Sequence, residues 1–499
     1  IKVKPDDDGL YIILGNFYRK QEKTELAEKA YREAIAKAKE PNNAKAVLAD
    51  LFFDSKKIEL AQKLVNEILE KNDKHPQAQL VKVKLLLHEG ENLAALTAVD
   101  ELLKNSPNWG EAYYQKSLAH LNKGETLLSQ QAVDQAVKYM PYSPEAHTLL
   151  AHHLLLKRNF DAAKKEAAIA LRLKPNNFRA AIILGKALLQ EKETDKALKI
   201  FEKMDEAAPN NIEILHNKGI ALLANKKTSE AIKVFEQILT LKPEFTPALT
   251  TLAAIYIDQK NPETAIKVIS EQIKKTPDHP DYLVLLGELL VNNNSNDEAL
   301  TLFRRAQEIA PDAPRTYILI AQLLTKMNKT RQAIAEYRAL LEKEPNLIQA
   351  QMGLGTLLEK TGEQEEAKTA YKKVLTQDPK FAPAANNLAW LLVEGKDPDL
   401  GEALRLALVA KERSPDDPFI ADTLGWIHYK RGSYSLALSQ FAQASDKLPD
   451  HPTIRYHLAL ALHSEGKTEQ AKKELKKCLD HKDNFPEREE ALKFFNQLS

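Results

Sequence analysis

The residue types that most often bind metals or act as general acids and bases are scattered through this chain without a catalytic spacing. The chain contains 13 histidines, yet none falls in an HExxH motif and no two lie four residues apart on one helical face. The densest group is His147, His152 and His153, whose separations distribute the rings around a helix. We therefore expect incidental histidines and no bound metal.

Other short motifs also lack the residues that would complete a chemical site. Gly353-Leu-Gly355 has neither the third glycine nor the preceding strand of a dinucleotide-binding loop, and Asp6-Asp7-Asp8 lacks the rest of a calcium loop. The single cysteine, Cys478, falls at a small-residue position of a repeated pattern, where a buried structural thiol is expected. No Ser/His/Asp order stands out. The sequence therefore predicts a protein that is not an enzyme and uses no cofactor.

Prolines recur through the chain with a fixed period. Successive members of this series are 34 residues apart, with a single step of 36. They are Pro107, Pro141, Pro175, Pro209, Pro243, Pro277, Pro311, Pro345, Pro379, Pro415 and Pro449. A period held this tightly indicates one small unit stacked many times.

Small residues recur with the same period, twelve and twenty-four positions before each proline. Ala197 and Gly185 precede Pro209 in this way, and Val83 is the one large exception among the interior copies. Carrying the pattern outward gives fourteen repeats, which begin near residues 8, 42, 76, 110, 144, 178, 212, 246, 280, 314, 348, 382, 418 and 452. The period is unbroken, so residues 8–483 are predicted to form one array, after a lead-in at 1–7 that looks like the start of an excised fragment. Residues 484–499 are predicted to form a capping helix.

Each repeat has the pattern of two antiparallel helices. Apolar residues recur at helical spacing on both sides of a short polar turn, and no stretch alternates long enough for a strand. A small residue on each helix lets the two backbones approach closely where they cross. The proline forces the residue before it out of the helical region and so ends the second helix. The predicted fold class is all-α.

This pattern resembles the tetratricopeptide repeat (TPR) family, a 34-residue helix-turn-helix with Leu-Gly, then Ala-x3-Phe, then Pro. Leu184-Gly185, Ala197, Phe201 and Pro209 carry the resemblance, which extends over roughly residues 8–483. The resemblance implies a right-handed superhelix in which the first helix of each repeat lines a concave groove. Positions 2, 5, 9, 12 and 13 of each repeat would face that groove.

Position 12 holds an apolar residue in eight successive repeats. We single out Leu121, Leu155, Leu189 and Leu223. They predict an apolar floor for an extended or helical partner. The alternative is that they pack mainly against the neighbouring first helix.

Large aromatic side chains concentrate at groove positions near the C-terminus. Trp390 and Trp426 occupy position 9 of adjacent repeats. Nearby groove positions hold Asn386, Asp422, Tyr429 and Tyr456. Rigid aromatics beside polar groups are typical of binding hot spots, which suits a peptide or a sugar. Buried structural packing of both tryptophans is the alternative. The lysine and asparagine clamp of some TPR co-chaperones is absent.

Composition excludes two classes of function. Charged residues make up 28% of the chain and leave a net charge of +1. Their signs are interleaved, whereas a nucleic-acid-binding surface would be strongly basic. No run of about eighteen apolar residues occurs, so no membrane span is predicted within this sequence.

A finer resemblance lies in two phrases of the C-terminal repeats. Asn386-Asn-Leu-Ala-Trp-Leu-Leu392 and Asp422-Thr-Leu-Gly-Trp-Ile-His-Tyr-Lys-Arg-Gly432 are similar to bacterial TPR lipoproteins associated with exosortase (PEP-CTERM) sorting and exopolysaccharide production. The resemblance implies a scaffold for a protein or peptide, with components of the polysaccharide machinery as candidate partners. It also implies a lipid-anchored parent at the periplasmic face of the envelope; a cytoplasmic location stays open. The rival hypothesis is a regulatory or substrate-recruiting arm of an enzyme such as a glycosyltransferase.

Overall fold

The computed structural model of the chain describes residues 7–481 and 485–498. Residues 1–6, most of the predicted lead-in, and residues 482–484, where the predicted repeats give way to the capping helix, lie outside the described residues. Asp6 of the triple-aspartate motif is among them. The chain forms two compact units, Ile1–Ile255 and Tyr256–Ser499, and each is described by itself.

Throughout the described ranges the secondary structure is helical, with 29 α-helices and no β-strand. Fourteen consecutive helix pairs are followed by one single helix, so the predicted all-α repeat architecture is confirmed. The first helices of the pairs are α1 (Asp8–Lys20), α3 (Asn42–Asp54), α5 (Pro76–His88), α7 (Gly110–Asn122), α9 (Pro144–Leu156), α11 (Phe178–Gln190), α13 (Ile212–Ala224), α15 (Thr246–Asp258), α17 (Pro280–Asn292), α19 (Pro314–Lys326), α21 (Ile348–Thr361), α23 (Ala382–Glu394), α25 (Pro418–Lys430) and α27 (Pro452–Ser464). The second helices are α2 (Thr24–Lys37), α4 (Ile58–Leu69), α6 (Asn92–Asn105), α8 (Thr126–Tyr139), α10 (Phe160–Leu173), α12 (Thr194–Ala207), α14 (Thr228–Leu241), α16 (Pro262–Lys275), α18 (Asn296–Ile309), α20 (Thr330–Lys343), α22 (Gln364–Gln377), α24 (Leu400–Arg413), α26 (Tyr434–Lys447) and α28 (Thr468–Leu479). The last helix, α29, spans Arg488–Leu498.

The repeated prolines follow the ends of the second helices, as predicted. Helix α6 ends at Asn105, and Ser106, which precedes Pro107, has φ −137° and ψ 68°. Where the proline is missing, as after α4, the residue that follows the helix, Glu70, keeps helical angles of −61° and −33°. The contrast agrees with the steric exclusion of helical angles before proline.

The small residues lie at the crossing of the two helices in each pair. Ala231 on α14 is fully buried. On the facing first helix, a Cβ added to Gly219 would lie 2.6 Å from the Phe235 ring, so the glycine makes room for the aromatic side chain. The close approach predicted from the sequence is therefore confirmed, and its large partner is an aromatic ring on the second helix.

The turn between α23 and α24 is longer than the other turns within helix pairs. Five residues, 395–399, separate these helices, whereas three residues, 225–227, separate α13 and α14. The two additional residues account for the single step of 36 residues, from Pro379 to Pro415. They leave the pairing of α23 with α24 intact.

Helix α29 packs against the last repeat. Phe494, Phe495 and Leu498 lie against a cluster that contains Leu475 and Cys478, both fully buried. Burial raises the pKa of the Cys478 thiol to about 11, which keeps it protonated at neutral pH. The predicted burial of this cysteine is confirmed, and α29 covers the apolar face that the last repeat would otherwise expose.

Candidate partner-binding groove

Side chains at position 9 of successive first helices contact one another in both units. In the N-terminal unit, Lys84 of α5 donates a 3.0 Å hydrogen bond to Asp50 of α3. In the C-terminal unit, the rings of Trp390 and Trp426 lie 6.4 Å apart between centroids, at 30°. Position 9 therefore forms a row along neighbouring first helices. We call positions 2, 5, 9, 12 and 13 of the first helices the groove positions.

The groove positions of the first four repeats form an ionic network. Arg19 pairs with Asp50 at 2.9 Å and also with Asp54, while Lys84 reaches Asp50 at 3.0 Å and Glu111 at 3.4 Å. Burial would raise the pKa of Asp50, but Lys84 and Arg19 outweigh that effect and the pKa is lowered. The charges of Arg19, Asp50, Asp54, Lys84 and Glu111 are thus compensated within this network.

The predicted apolar floor is only partly open to solvent. Its members are half-buried leucines, namely Leu121, Leu155, Leu189 and Leu223. Leu121 packs against a core cluster that contains Val133, and Leu155 against one that contains Ile183. Packing between helices therefore buries part of the surface of Leu121 and of Leu155, which agrees with the alternative that these leucines pack against neighbouring helices. Binding by the exposed remainder stays a prediction.

Leu121 also lines a cleft of about 280 Å³ between α7, α9 and the start of α11. Its walls include Tyr114 and Leu118 on one side and Lys174 and Arg179 on the other. Tyr114 occupies a groove position, and burial raises the pKa of its hydroxyl. The cleft combines an apolar base with a rim of mixed charge, because Glu145 lines it together with Lys174 and Arg179.

Asn177, which lines this cleft, is held in place by two hydrogen bonds. Asn177 donates from Nδ2 to the Thr148 hydroxyl at 2.8 Å, and its Oδ1 accepts from the Ala180 amide at 3.1 Å. The second bond caps the N-terminus of α11. The cleft is therefore built on ordered helix ends.

The C-terminal aromatic side chains form one stacked cluster, and Trp426 lies at its centre. Its ring stacks on Tyr429 at 5.4 Å and 7°, and on His457 at 4.4 Å and 22°. Trp390 lies 6.2 Å from His457. Both tryptophans are half-buried. The structure thus brings Trp390, Trp426 and Tyr429 into one cluster, and contacts among the rings bury part of each. Partner binding by these residues stays a prediction.

The polar residues predicted beside the aromatics have different environments. Asp422 is buried and its carboxylate lies 2.9 Å from Nδ1 of buried His457. Burial raises the pKa of Tyr456, whose ring lies 6.1 Å from His457, to about 12. Asn386 carries a buried Oδ1 that accepts no hydrogen bond within the described chain.

Charged groups that were not singled out from the sequence complete the cluster. Glu394 accepts a 2.7 Å hydrogen bond from the Trp426 indole N–H. Lys430 lies 3.5 Å from the same carboxylate and 4.8 Å from the Trp426 ring centroid. Both occupy position 13, so the repeat register was a sufficient signal for them. His457 falls outside the groove positions, and no sequence signal pointed to it.

His147, His152 and His153, which are close in the sequence, have three different environments. His147 bonds to Glu166 at 2.5 Å through Nδ1 and to the Pro141 carbonyl at 3.0 Å through Nε2, and Glu166 raises its pKa. His153 bonds to the Ser129 hydroxyl at 2.8 Å. His152 occupies a groove position of α9. Among residues 7–481 and 485–498, no group of three or more His, Cys, Asp or Glu is arranged to hold a metal ion.

Together the helix pairs, their glycine crossings and the row of groove positions define an α-helical repeat protein of the helix-turn-helix class. Sequence models of the tetratricopeptide repeat match residues 10–45, 47–108, 148–212, 222–289 and 313–484. The chain belongs to the tetratricopeptide repeat family. A model of anaphase-promoting complex, cyclosome, subunit 3 also matches residues 258–340.

The chain is similar to one curated protein over a short segment and to several solved structures over longer stretches. TPR repeat-containing protein PA4667 of Pseudomonas aeruginosa is 45% identical over 51 residues, which is 10% of this chain and 9% of that protein. The APC/C hetero-tetramer Cut9-Hcn1 covers 97% of this chain and 96% of its own, at 14% identity and TM-score 0.40. Naa15/Naa10 bound to HypK-THB covers 89% and 69%, at 16% identity and TM-score 0.33. YrrB, described as a TPR protein with an unusual peptide-binding site, covers 38% and 96%, at 19% identity and TM-score 0.35.

No helix among residues 7–481 and 485–498 has both the length and the apolar character that crossing a bilayer requires.

Proposed function

We propose that this protein is a non-enzymatic scaffold that binds a protein or peptide partner at the groove positions. The observation that carries the proposal is the aromatic cluster around Trp426. Stacked rings held by Glu394 and His457 are rigid before any ligand arrives, so little side-chain entropy is lost on binding. Rigid, half-buried tryptophans are the side chains on which interfaces concentrate their binding energy.

Trp390 is the better residue for a test, because Trp426 has more structural contacts. Trp390→Ala is expected to weaken partner binding by about 30-fold or more, the loss of a typical hot spot. Trp109→Ala is the matched control, since Trp109 is also half-buried but precedes α7 as its N-cap residue, outside the groove positions. Thermal unfolding of both variants separates loss of binding from loss of packing.

Photo-crosslinking identifies the partner at the same time. A photoreactive phenylalanine analogue replaces Phe419, a groove residue that is 53% exposed, and in a control replaces Tyr142, which is 82% exposed in a turn between repeats. We expect a protein from envelope extracts to crosslink at 419 and not at 142, and to be lost in the Trp390→Ala background. Equal crosslinking at both sites, or unchanged capture by Trp390→Ala, contradicts the proposal.

We further propose that the partner belongs to bacterial envelope protein sorting or exopolysaccharide production, with the parent protein lipid-anchored at the periplasmic face. The support is the similarity of the Asn386–Leu392 and Asp422–Gly432 segments to exosortase-associated TPR lipoproteins. The sequence of the gene beyond both ends of this chain is the test. A lipobox and further repeats agree with the proposal, whereas a glycosyltransferase domain contradicts it.

A further inference from the structure

Three polar side chains interrupt the apolar packing between repeats four and five, where α8 meets α9. The residue twelve positions before each repeated proline is alanine in every copy but one, Ser129. Of the residues twenty-four positions before the prolines, only Ser117 carries a hydroxyl, and His153 occupies position 10, which is apolar in every other repeat. All three side chains are fully buried. The polar exceptions at three positions of the repeat therefore come together at one joint.

The hydrogen bonds of this cluster place the ring proton of His153. Ser117 Oγ donates to the Ser129 carbonyl, and Ser129 Oγ donates to the Ser117 carbonyl, both at 2.8 Å. Both hydroxyl protons are thereby used, so Nε2 of His153 donates to Ser129 Oγ at 2.8 Å. The other ring nitrogen, Nδ1, is buried and bonds to no group within the described chain. The cluster therefore holds His153 in its neutral form, and a proton added at Nδ1 meets no acceptor there.

The charges around this stretch of α9 do not compensate a charge on the His153 ring. The titratable groups there are His152 and Lys157 at the end of α9, Asp134 on α8, Glu166 on α10, and Arg179 and Lys186 on α11. Those that act on the His153 ring are His152 and Lys157, and both are cationic when protonated. Asp134 lies within the field of Lys157, and Glu166 bonds to His147. Within the described ranges, no carboxylate pairs with the ring.

Acidification favours the opened form of this joint. Burial lowers the pKa of His153, and His152 and Lys157 lower it further. A histidine in an opened chain binds a proton as the pH falls through about 6.5, whereas the folded ring does so only at lower pH. The opened form takes up the proton first, so the joint loses stability as the pH falls below about 6.5. His147 and Asp134, whose pKa values are raised in the fold, act in the opposite direction and cannot imitate this loss.

We propose that Ser117, Ser129 and His153 form an acid-sensitive joint, at which protonation of His153 separates α8 from α9. The joint between α2 and α3 shows what an insensitive joint contains. There Ala27 and Leu51 take the places of Ser129 and His153 in one buried apolar cluster, and neither helix carries a histidine. Mild acid is therefore expected to open the array between repeats four and five, which separates the groove positions of the first four repeats from those that follow.

Hydrogen exchange of the whole chain tests the proposal at about pH 7.5 and about pH 5.5, after correction for the intrinsic exchange rates. Protection of α8 and α9 should fall by about five- to tenfold between the two pH values, because an opened histidine takes up a proton about one unit below its ordinary pKa. Protection of α2 and α3 should stay constant, since ordinary carboxylates titrate near pH 4. Constant protection of α8 and α9, or an equal loss in α2 and α3, overturns the proposal.

Two variants identify the group that titrates. Ser129→Ala with His153→Leu reproduces the natural Ala27–Leu51 pair and should abolish the loss of protection on acidification. His152→Gln is the matched control, because it removes the neighbouring histidine, whose pKa is also lowered, and keeps His153. The loss should persist in this control.

The ratio of protection at the two pH values is the readout, so a variant that is merely less stable at both does not imitate the effect. An undiminished loss in the Ser129→Ala, His153→Leu variant overturns the proposal, as does disappearance of the loss in His152→Gln. The experiment needs no partner, and the Trp390 experiment judges the scaffold function independently.

Discussion

At the scale of single residues, the side chains at positions 8 and 24 of a repeat have complementary volumes. These positions lie sixteen residues apart and pack against each other. Wherever position 8 is glycine, position 24 is an aromatic ring against which an added Cβ would collide. The pairs are Gly15 with Tyr31, Gly185 with Phe201, Gly219 with Phe235, Gly287 with Phe303, Gly355 with Tyr371, and Gly425 with Phe441. Larger residues at position 8 occur with smaller, buried partners, as in Ala49 with Val65 and Val83 with Val99.

The exceptional residues follow the same rule. Val83, the one large residue in the small-residue series, is accommodated because Val99 replaces the ring. Tyr337 keeps its ring although position 8 of that repeat is Ala321, and the next repeat supplies Gly353, where an added Cβ would lie 2.6 Å from the Tyr337 hydroxyl. Gly353, which has no place in a nucleotide loop, therefore has a packing role.

Gly219→Ala should destabilise the protein by about 1–3 kcal/mol, because overpacking against Phe235 outweighs the better helix propensity of alanine. Combining it with Phe235→Val, which reproduces the natural Ala49–Val65 pair, should cost less than the sum of the two single changes. Urea unfolding of the four proteins in the cycle measures the coupling. Additive losses would contradict volume matching.

At the scale of elements, the turns between paired helices share one strained residue. Each such turn, apart from the longer one at 395–399, has a residue with positive φ at the same place. Glycine occupies it in some repeats, for example Gly124 at φ 75°, but Lys226 holds the same conformation at φ 60°. This conformation is sterically unfavourable for a residue with a Cβ and is readily adopted by glycine.

Lys226→Gly should therefore stabilise its repeat by about 1 kcal/mol, although glycine usually lowers the stability of the folded state. The reverse test is Gly124→Ala, which should lose a similar amount because alanine resists the left-handed conformation. Shifts of the thermal midpoint, with Lys227→Gly as the control at a neighbouring residue of negative φ, measure both effects. Destabilisation by Lys226→Gly would show that its aliphatic chain has an unrecognised packing role.

At the scale of the whole molecule, each helix pair depends mainly on its sequence neighbours. Contacts run between the helices of a pair, between consecutive pairs, and between successive first helices, such as α23 with α25 and α25 with α27. Stability in such an array is the sum of repeat and interface contributions, and a local defect stays local.

Ala299→Leu tests this coupling. Ala299 on α18 is fully buried, so leucine should force α17 and α18 apart, whereas Glu298→Leu adds the same side chain at an exposed neighbour and should have little effect. Hydrogen exchange is expected to lose protection in α17–α19 and to keep it in α27 and α28. Unchanged protection in α17 and α18 would show that the repeat register is wrong there, and loss throughout the unit would contradict local coupling.

The sequence alone determined the period, the small crossing positions, the helix-ending prolines and the groove register. These features depend on contacts within one repeat, which a 34-residue period encodes directly. It also gathered Trp390, Trp426 and Tyr429 into one patch through that register. It left open how much of the surface of the position-12 leucines and of the two tryptophans is buried by contacts within the protein.

Only the tertiary structure decided which groove side chains meet across repeats. Asp422 with His457, Trp426 with Glu394 and Arg19 with Asp50 join residues 31 to 35 apart in the chain. Such pairs depend on the rotation between successive repeats, which comes from side-chain packing along the whole stack and which no single repeat specifies. That rotation brings Arg19 and Lys84 to Asp50, and Lys84 to Glu111, across the first four repeats.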